Sequence, residues 1–481
     1  MNVMQANTNL STHNAVRKKR ARDLERHWLY CRYADKLTVN QDLSRQLVSY
    51  QANKKVPFYR WMKYKEAFSS ELVAFFLDLF RPQDGKTPQI LDPFAGACTT
   101  LTTAAQKRWK AVGIELLPVG VAAMTARMKA DKMDSTSFEK HLKRLERFSL
   151  NSFISGFRFP HLRITEKAFP KAVERAISAY MGFLNEIDDR DLRYLFWFAC
   201  LSILEDISYT RKDGQYLRWD SRADRHLKSE FNKGEILAFR PAIIQKLNLM
   251  YEDIKNRNGG TYSRNIRLIE GSCLRELPRL KENSFDLIMT SPPYCNRYDY
   301  TRTYALELAF IGYDEDALKH LRQTLLSATV ENKSKRDILL GEYFASGKAN
   351  VFTAALHAFN DQRALQEVLD ILHSAKENDE LNNNNIPDMV ENYFFEMNLV
   401  IRELSRVLGP GGRIVMVNDN VRYHGEEVPV DLILSDFAEK AGLSVEHIWV
   451  LPRGKGNSSQ QMGTYGRNEL RKGVYIWSKP K

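Results

Sequence analysis

Short apolar runs alternate with amphipathic helical stretches along much of the chain. Phe285 to Met289, within "SFDLIMTSPPYCNRYDY" (Ser284–Tyr300), is an apolar run of the kind a buried parallel strand shows. Pro292 and Pro293 cannot continue a ladder, so the chain must leave the sheet there. Upstream, "SSELVAFFLDLF" (Ser69–Phe80) has helical apolar spacing, with Ser69 or Ser70 as cap and Glu71 in the first turn. "ILDPFAGACTTLTTAAQKRWKAVGIELLP" (Ile90–Pro118) reads strand, glycine turn, helix, strand, which is a βαβ unit. Two further strands fit Asn265–Glu270 and Phe285–Thr290, and three more lie near "GGRIVMVND", "SVEHIWV" and "GVYIWSK". Strands that alternate with helices predict an α/β fold with a mainly parallel, seven-stranded sheet.

Two stretches exceed what the sheet needs. Residues 119–264 are long, basic and mostly helical, far more than a crossover requires. Residues 314–385 form a second insertion ending in "KENDELNNNN", whose composition predicts a flexible loop. No internal repeat is visible. Met1–Asn14 is polar and expected to be disordered, and "RKKRARDLERHW" (Arg17–Trp28) reads either as a basic arm on phosphates or as the solvated face of a first helix. Residues 1–50 are therefore assigned to an N-terminal basic arm and helix.

Composition sets limits on function. With 481 residues, 43% of them hydrophobic, the chain can bury a large core. No segment has the length of a membrane span, and the polar amino terminus lacks the apolar core of a signal peptide. Five cysteines without a CxxC pair argue against a zinc site or disulfide framework, so no metal is expected and a reducing cytoplasm fits. The formal charge of +12 points to a polyanionic partner, nucleic acid first, although many proteins are mildly basic for no such reason.

The first βα turn carries candidate chemistry. Gly96 permits close backbone approach, the following helix offers free N–H groups, and Asp92 places a carboxylate at the strand end. A carboxylate there disfavours phosphate and suits an ammonium, while Glu115, ending the second strand, is placed for a ribose diol. Ammonium and ribose occur together in S-adenosylmethionine. The bland alternative is that both acids merely cap helices, as proline pairs also end strands for structural reasons.

"LDPFAGACTTL", "GIELLP" and "TSPPY" resemble the cofactor, ribose-binding and catalytic motifs of the DNA amino-methyltransferases, which modify cytosine N4 or adenine N6. "VPFYRWMKYKEAFSSELV" (Val56–Val73) is similar to the segment that precedes the cofactor motif and closes over the methionine moiety. The resemblance implies a Rossmann-like S-adenosylmethionine-dependent methyltransferase fold, with the catalytic domain in residues 51–118 and 265–481. It further implies cofactor contacts from Phe68, Ser69, Asp92, Pro93, Phe94, Gly96, Thr99 and Glu115. Two departures stand out: Cys98 replaces the second glycine of DPFxGxGT, and Gly271-Ser272 replaces a common Gly-Asp.

Chemistry explains a Ser-Pro-Pro-Tyr turn. An exocyclic amine is a poor nucleophile because its lone pair is delocalised into the ring. The Ser291 hydroxyl and the Pro292 carbonyl would accept its hydrogens and localise that pair, Pro292 and Pro293 would fix the in-line geometry, and Tyr294 would stack on the base. A paired base must be flipped out of double-stranded DNA to reach them. Cys295 as the nucleophile of a carbon-5 cytosine enzyme is a poorer reading, since the thiol follows the tyrosine. Arg211, Lys212 and Arg218 in "YTRKDGQYLRWDSR", and Arg453, Lys455 and Arg467 in "PRGKGNSSQQMGTYGR", are the candidate DNA contacts, with an ordinary basic hairpin as the alternative for the first group. Serine before the prolines favours cytosine N4 over adenine N6. A restriction-modification setting with a cognate endonuclease, at the nucleoid, follows from the same resemblance. An RNA base methyltransferase and a non-catalytic nucleic-acid-binding subunit remain as alternatives.

Overall fold

The computed structural model describes residues 24–64, 67–150, 156–213, 216–225, 230–257, 261–452 and 470–481. Its strands are β1 (Leu37–Val39), β2 (Gln89–Asp92), β3 (Lys110–Glu115), β4 (Thr210–Asp213), β5 (Tyr216–Trp219), β6 (Ile266–Glu270), β7 (Phe285–Thr290), β8 (Leu408–Asp419), β9 (Val421–Tyr423), β10 (Glu426–Val428), β11 (Ser444–Val450) and β12 (Lys472–Ser478). The central sheet has the order β1-β11-β12-β8-β7-β2-β3-β6, and β4–β5 and β9–β10 form separate hairpins. Among the described residues, only β12 runs antiparallel to its neighbours in the central sheet.

All seven predicted strands are present, and the sheet has an eighth. Leu37–Val39 adds β1 to the edge, parallel to β11, from a segment assigned above to the arm. The arrangement is the Rossmann-like sheet that the resemblance implies. Its inner strands are covered on both faces, which is why they read as apolar runs. Leu91, Ile288, Ile414, Met416, Tyr475 and Trp477 face one core, which the helices Ile386–Val407 and Val430–Lys440 complete. Ile90, Leu287, Met289, Val415, Val417 and Val474 face the other, against the helices Ser70–Leu79 and Thr99–Gln106. Alternate residues of one strand serve opposite layers. At the start of Ser70–Leu79, Ser69 proves to be the cap, its Oγ accepting the Leu72 N–H at 3.0 Å.

The first insertion contributes the helices Ser135–Arg147, Lys171–Asn185, Arg190–Ile203 and Phe239–Lys255 and the β4–β5 hairpin. They pack into one apolar cluster with Phe58, Trp61, Tyr64 and the helix Ala305–Ile311. The second insertion packs its helices Arg336–Ala345, Ala349–Asn360 and Arg363–Glu377 largely into the core of the sheet's first face. The run "KENDELNNNN" bridges Arg363–Glu377 to Ile386–Val407, and it is tied down: Asn382 accepts from Arg297 and Glu380 pairs with His424. Arg26, in the described part of the basic run, pairs with Glu367 and Glu426. Residues Arg17 to Asp23 of that run lie outside the described residues.

Candidate active site

Strand order reverses between β2 and β7: from β2 the sheet continues through β3 and β6, from β7 through β8. Loops leaving the carboxyl ends of two such strands diverge and open a crevice. An open pocket of about 570 Å³, part of it continuous with solvent, lies there, walled by Tyr64, Pro93, Phe94, Gly96, Glu115, Ser272, Ser291, Pro293 and Tyr300 among others. The two loops are joined at their base. The Thr290 hydroxyl, at the end of β7, donates to Asp92 Oδ1 at 2.7 Å, and the Thr100 hydroxyl donates to Oδ2 at 2.7 Å.

Asp92 therefore differs from its expected role. Its carboxylate also accepts the Phe94 N–H at 3.1 Å and lies buried behind the cavity wall, so it shapes the glycine turn rather than facing a ligand. Burial pushes it up to about 6, against the pull of these three hydrogen bonds. Glu115 does line the cavity. Its Oε1 accepts the Leu117 N–H at 2.6 Å and its Oε2 accepts the Gly96 N–H at 2.5 Å, which locks the second strand's acid to the first strand's turn. Burial raises it to about 7, partly offset by those N–H groups.

The turn is packed on every side. Gly96 has φ +53°, and a Cβ there would meet the Tyr64 ring at 3.1 Å; one on Gly120 would meet the Gly96 carbonyl at 2.6 Å. Cys98, in the place of a second glycine, adopts the left-handed φ of 60° with its side chain fully buried. The fold thus tolerates the departure at a strain of about 1–2 kcal/mol. Arg127, from the helix Pro118–Ala130, donates to the Ala97 carbonyl and lies 4.7 Å from the Tyr59 ring centroid. Asp253, at the far end of the first insertion, grips the segment before the motif: it accepts the Phe58 N–H at 2.8 Å, the Trp61 indole N–H at 2.7 Å and the Arg60 guanidinium.

Of the residues expected at the cofactor, Pro93, Phe94, Gly96 and Glu115 meet around the cavity. Phe68 packs into the core, Ser69 caps its helix, and Thr99 is the buried first residue of the next. From the Ser-Pro-Pro-Tyr turn, Ser291 and Pro293 line the cavity, while Pro292 is buried beside them. The Ser291 hydroxyl donates to the Tyr294 hydroxyl at 3.1 Å. Ser272 lies in the wall and donates to the Thr324 carbonyl at 3.3 Å, so a hydroxyl occupies the place of the usual acid. Tyr64, Tyr300, Leu325 and Leu326 also line the cavity and were not anticipated. Tyr64 stood within the quoted "VPFYRWMKYKEAF" segment, but Leu325 and Leu326 come from the second insertion with no local signal. Cys295 is wholly buried and its thiol is pushed up by burial, which removes it as a nucleophile. Among the described residues no His, Cys, Asp and Glu cluster could hold a metal, and no helix is long and apolar enough to cross a membrane.

The chain matches no family model. It is 46% identical, over 93% of its length and 92% of the relative's, to the type II methyltransferase M.AvaI of Nostoc sp.. The chain belongs to the type II DNA methyltransferases. A second such methyltransferase, M.BsoBI of Geobacillus stearothermophilus, is 39% identical over 96% of this chain and 93% of its own. M.MvaI of Kocuria varians is 21% identical over 86% and 88%. This membership of the DNA amino-methyltransferases sets aside the RNA-modifying and non-catalytic alternatives, and it makes the protein the modification enzyme of a restriction-modification system.

The methyltransferase's candidate DNA contacts divide by strand alternation. Arg211 and Arg218 are direct partners across the β4–β5 hairpin and share a face. Arg211 is exposed; Arg218 pairs with Asp213 at 3.1 Å and lies 4.2 Å from the Phe231 ring centroid. Lys212 points the other way and is corrected: with its side chain 3% exposed, it pairs with buried Glu307 and lies 4.5 Å from the Tyr304 ring centroid. A cation so enclosed does not reach a phosphate. Tyr304 in turn stacks on Tyr64 at 5.3 Å, which connects the hairpin to the cavity wall. Arg453, Lys455 and Arg467 lie outside the described residues.

Proposed function

We propose that the protein transfers a methyl group from S-adenosylmethionine to the exocyclic amine of a base flipped out of double-stranded DNA, cytosine N4 in preference to adenine N6. It would act in the cytoplasm, at the nucleoid, beside a cognate restriction endonuclease. The observation that carries this reading is the meeting of Ser291 and Pro293 with Gly96 and Glu115 around one cavity at the strand-order reversal. The wall suits the cofactor. Gly96 brings backbone without a side chain to the wall, Glu115 offers an acceptor to a ribose diol, and Phe94, Leu325 and Leu326 offer apolar surface to an adenine ring. Bound there, S-adenosylmethionine would supply the electrophilic methyl group. Ser291 and the Pro292 carbonyl would accept the amine hydrogens and stabilise the charge developing on nitrogen. Flipping costs a few kcal/mol, and stacking on Tyr294 would return about 1–3 kcal/mol.

Target reading is assigned to the first insertion, residues 119–264, with Arg211 and Arg218 on its exposed hairpin face as contacts. Residues 314–385 are the competing location. The chemical assignment is tested by incubating purified protein with S-adenosylmethionine and a mixed-sequence duplex, digesting to nucleosides and separating them by mass spectrometry. N4-methylcytosine is the expected product. N6-methyladenine alone would overturn the base preference, and 5-methylcytosine would overturn the mechanism.

A further inference from the structure

Behind the Ser-Pro-Pro-Tyr turn, β7, β8 and β12 bring four polar side chains into line. Ser291 follows β7, and its hydroxyl donates to that of Tyr294 at 3.1 Å. Lys472, the first residue of β12, holds its Nζ 5.6 Å from the Tyr294 ring centroid, so its positive charge faces the Tyr294 side chain. Asp419 ends β8 directly opposite Lys472 in the antiparallel register, with Nζ and Oδ1 3.4 Å apart. The two side chains are 16% and 6% exposed, so this pair is largely withdrawn from water.

The direction of the hydrogen bonds gives the arrangement a purpose. A lysine ammonium is positive and has no acceptor to offer, so beside it the Tyr294 hydroxyl turns its own proton away and presents its oxygen lone pairs to donors. Ser291 donates to the same oxygen. A serine hydroxyl has one proton and two lone pairs, and once its proton is placed on Tyr294 its lone pairs are free to accept from another donor. Ser291 lines the cavity, where that donor would arrive.

We infer that Lys472 is a positioning residue: anchored on Asp419, it fixes the Tyr294 hydroxyl as acceptor of the Ser291 proton, so that the Ser291 oxygen presents its lone pairs to the target amine. This rests on the role proposed above for Ser291. It gives Tyr294 a task for its hydroxyl that is separate from stacking by its ring. Lys472 acts through Tyr294, so the two should fail together.

The test is a double-mutant cycle in the full-length enzyme, using Tyr294→Phe, Lys472→Met and their combination, with kcat and the cofactor KM measured on methylatable duplex. Each single change should lower kcat roughly tenfold, the loss of one oriented hydrogen bond, and leave the cofactor KM within about twofold. The combination should be no worse than either alone. Lys472→Met strands Asp419, so the cycle is repeated with Lys472→Met/Asp419→Asn, in which no charge is left buried and unpaired. Wild-type kcat in Tyr294→Phe, or losses that multiply in the combination, would overturn the inference. Ser291→Ala separates the levels: if it is inert, the Ser291 role itself fails, whereas a slow Ser291→Ala beside an active Tyr294→Phe refutes the Lys472 inference alone.

Discussion

Replacing Glu115 tests the cofactor reading at its most exposed point, because this carboxylate both faces the cavity and holds the turn. Glu115→Gln keeps one acceptor oxygen but sets an amide NH₂ against the N–H of either Gly96 or Leu117, each of which now donates to a carboxylate oxygen. A backbone donor left unsatisfied in this buried wall costs about 1–3 kcal/mol, and the charge-assisted bond to a ribose hydroxyl is worth about 1.5–3 kcal/mol. Affinity for S-adenosylmethionine, measured by titration calorimetry at pH 8, should fall roughly ten- to hundredfold. The pH profile adds an independent arm. Glu115 titrates in the free protein at about 7, raised chiefly by burial. Its anion is the form that accepts from a diol, so wild-type affinity should rise as pH increases through that value and level off above it. The ionised share grows from about a tenth at pH 6 to about nine-tenths at pH 8, a roughly tenfold gain in affinity. Glu115→Gln should show no such rise. A folded variant that binds within twofold of wild type, or a wild-type affinity flat from pH 6 to 8, would refute the reasoning.

Ser291→Ala should lower kcat by roughly a hundredfold while cofactor affinity stays within about threefold, since its proposed contact is to the base; single-turnover kinetics measure both. Lys212→Met should cost about 3–5 kcal/mol in urea unfolding by stranding Glu307, and adding Glu307→Leu should recover much of that, whereas a neutral Lys212→Met would refute the enclosed pair. Cys98→Gly should change stability by less than about 2 kcal/mol, because relief of the left-handed strain opposes the loss of buried sulfur; a larger loss in thermal unfolding would show that the side chain is essential to the turn. Arg211→Ala with Arg218→Ala should weaken DNA binding and flatten the salt slope by up to about 2, read by fluorescence anisotropy across ionic strength, and an unchanged slope would move the phosphate contacts elsewhere.

What the sequence made legible was local. The strand at Phe285–Thr290 was readable because both of its faces are buried, and the helix at Ser70–Leu79 because Ser69 and Glu71 announce its start. β1 was missed because three residues at a sheet edge, only partly covered, carry no periodic signal. Long-range pairing was the other blind spot. Lys212 sits in a basic run and reads as a solvated cation, yet its partner Glu307 lies 95 positions away. Asp92 was correctly picked out as a strand-end acid, but the Thr290 hydroxyl that occupies it is 198 residues downstream. The cavity wall contributed by Leu325 and Leu326 was invisible for the same reason, since a leucine pair in a helical insertion looks like any other core.

The anchoring of the first insertion bears on how such an enzyme can acquire a new target. Asp253 clasps the segment that precedes the cofactor motif, and Lys212 runs back through Glu307 and Tyr304 towards Tyr64. Its helices share a single apolar mass with that segment and with the helix that follows the Ser-Pro-Pro-Tyr turn. A region stitched in this way cannot be transplanted between relatives as a cassette, because the graft would tear out the props of the recipient's own cavity. If target reading lies in this insertion, as proposed, novel specificity has to be reached by resurfacing, residue by residue on the outward side of β4–β5, with the interior left intact. With a cognate nuclease in the same cell, as proposed, each intermediate would still have to protect the host, so the same anchoring would also hold the recognised site nearly constant over evolutionary time.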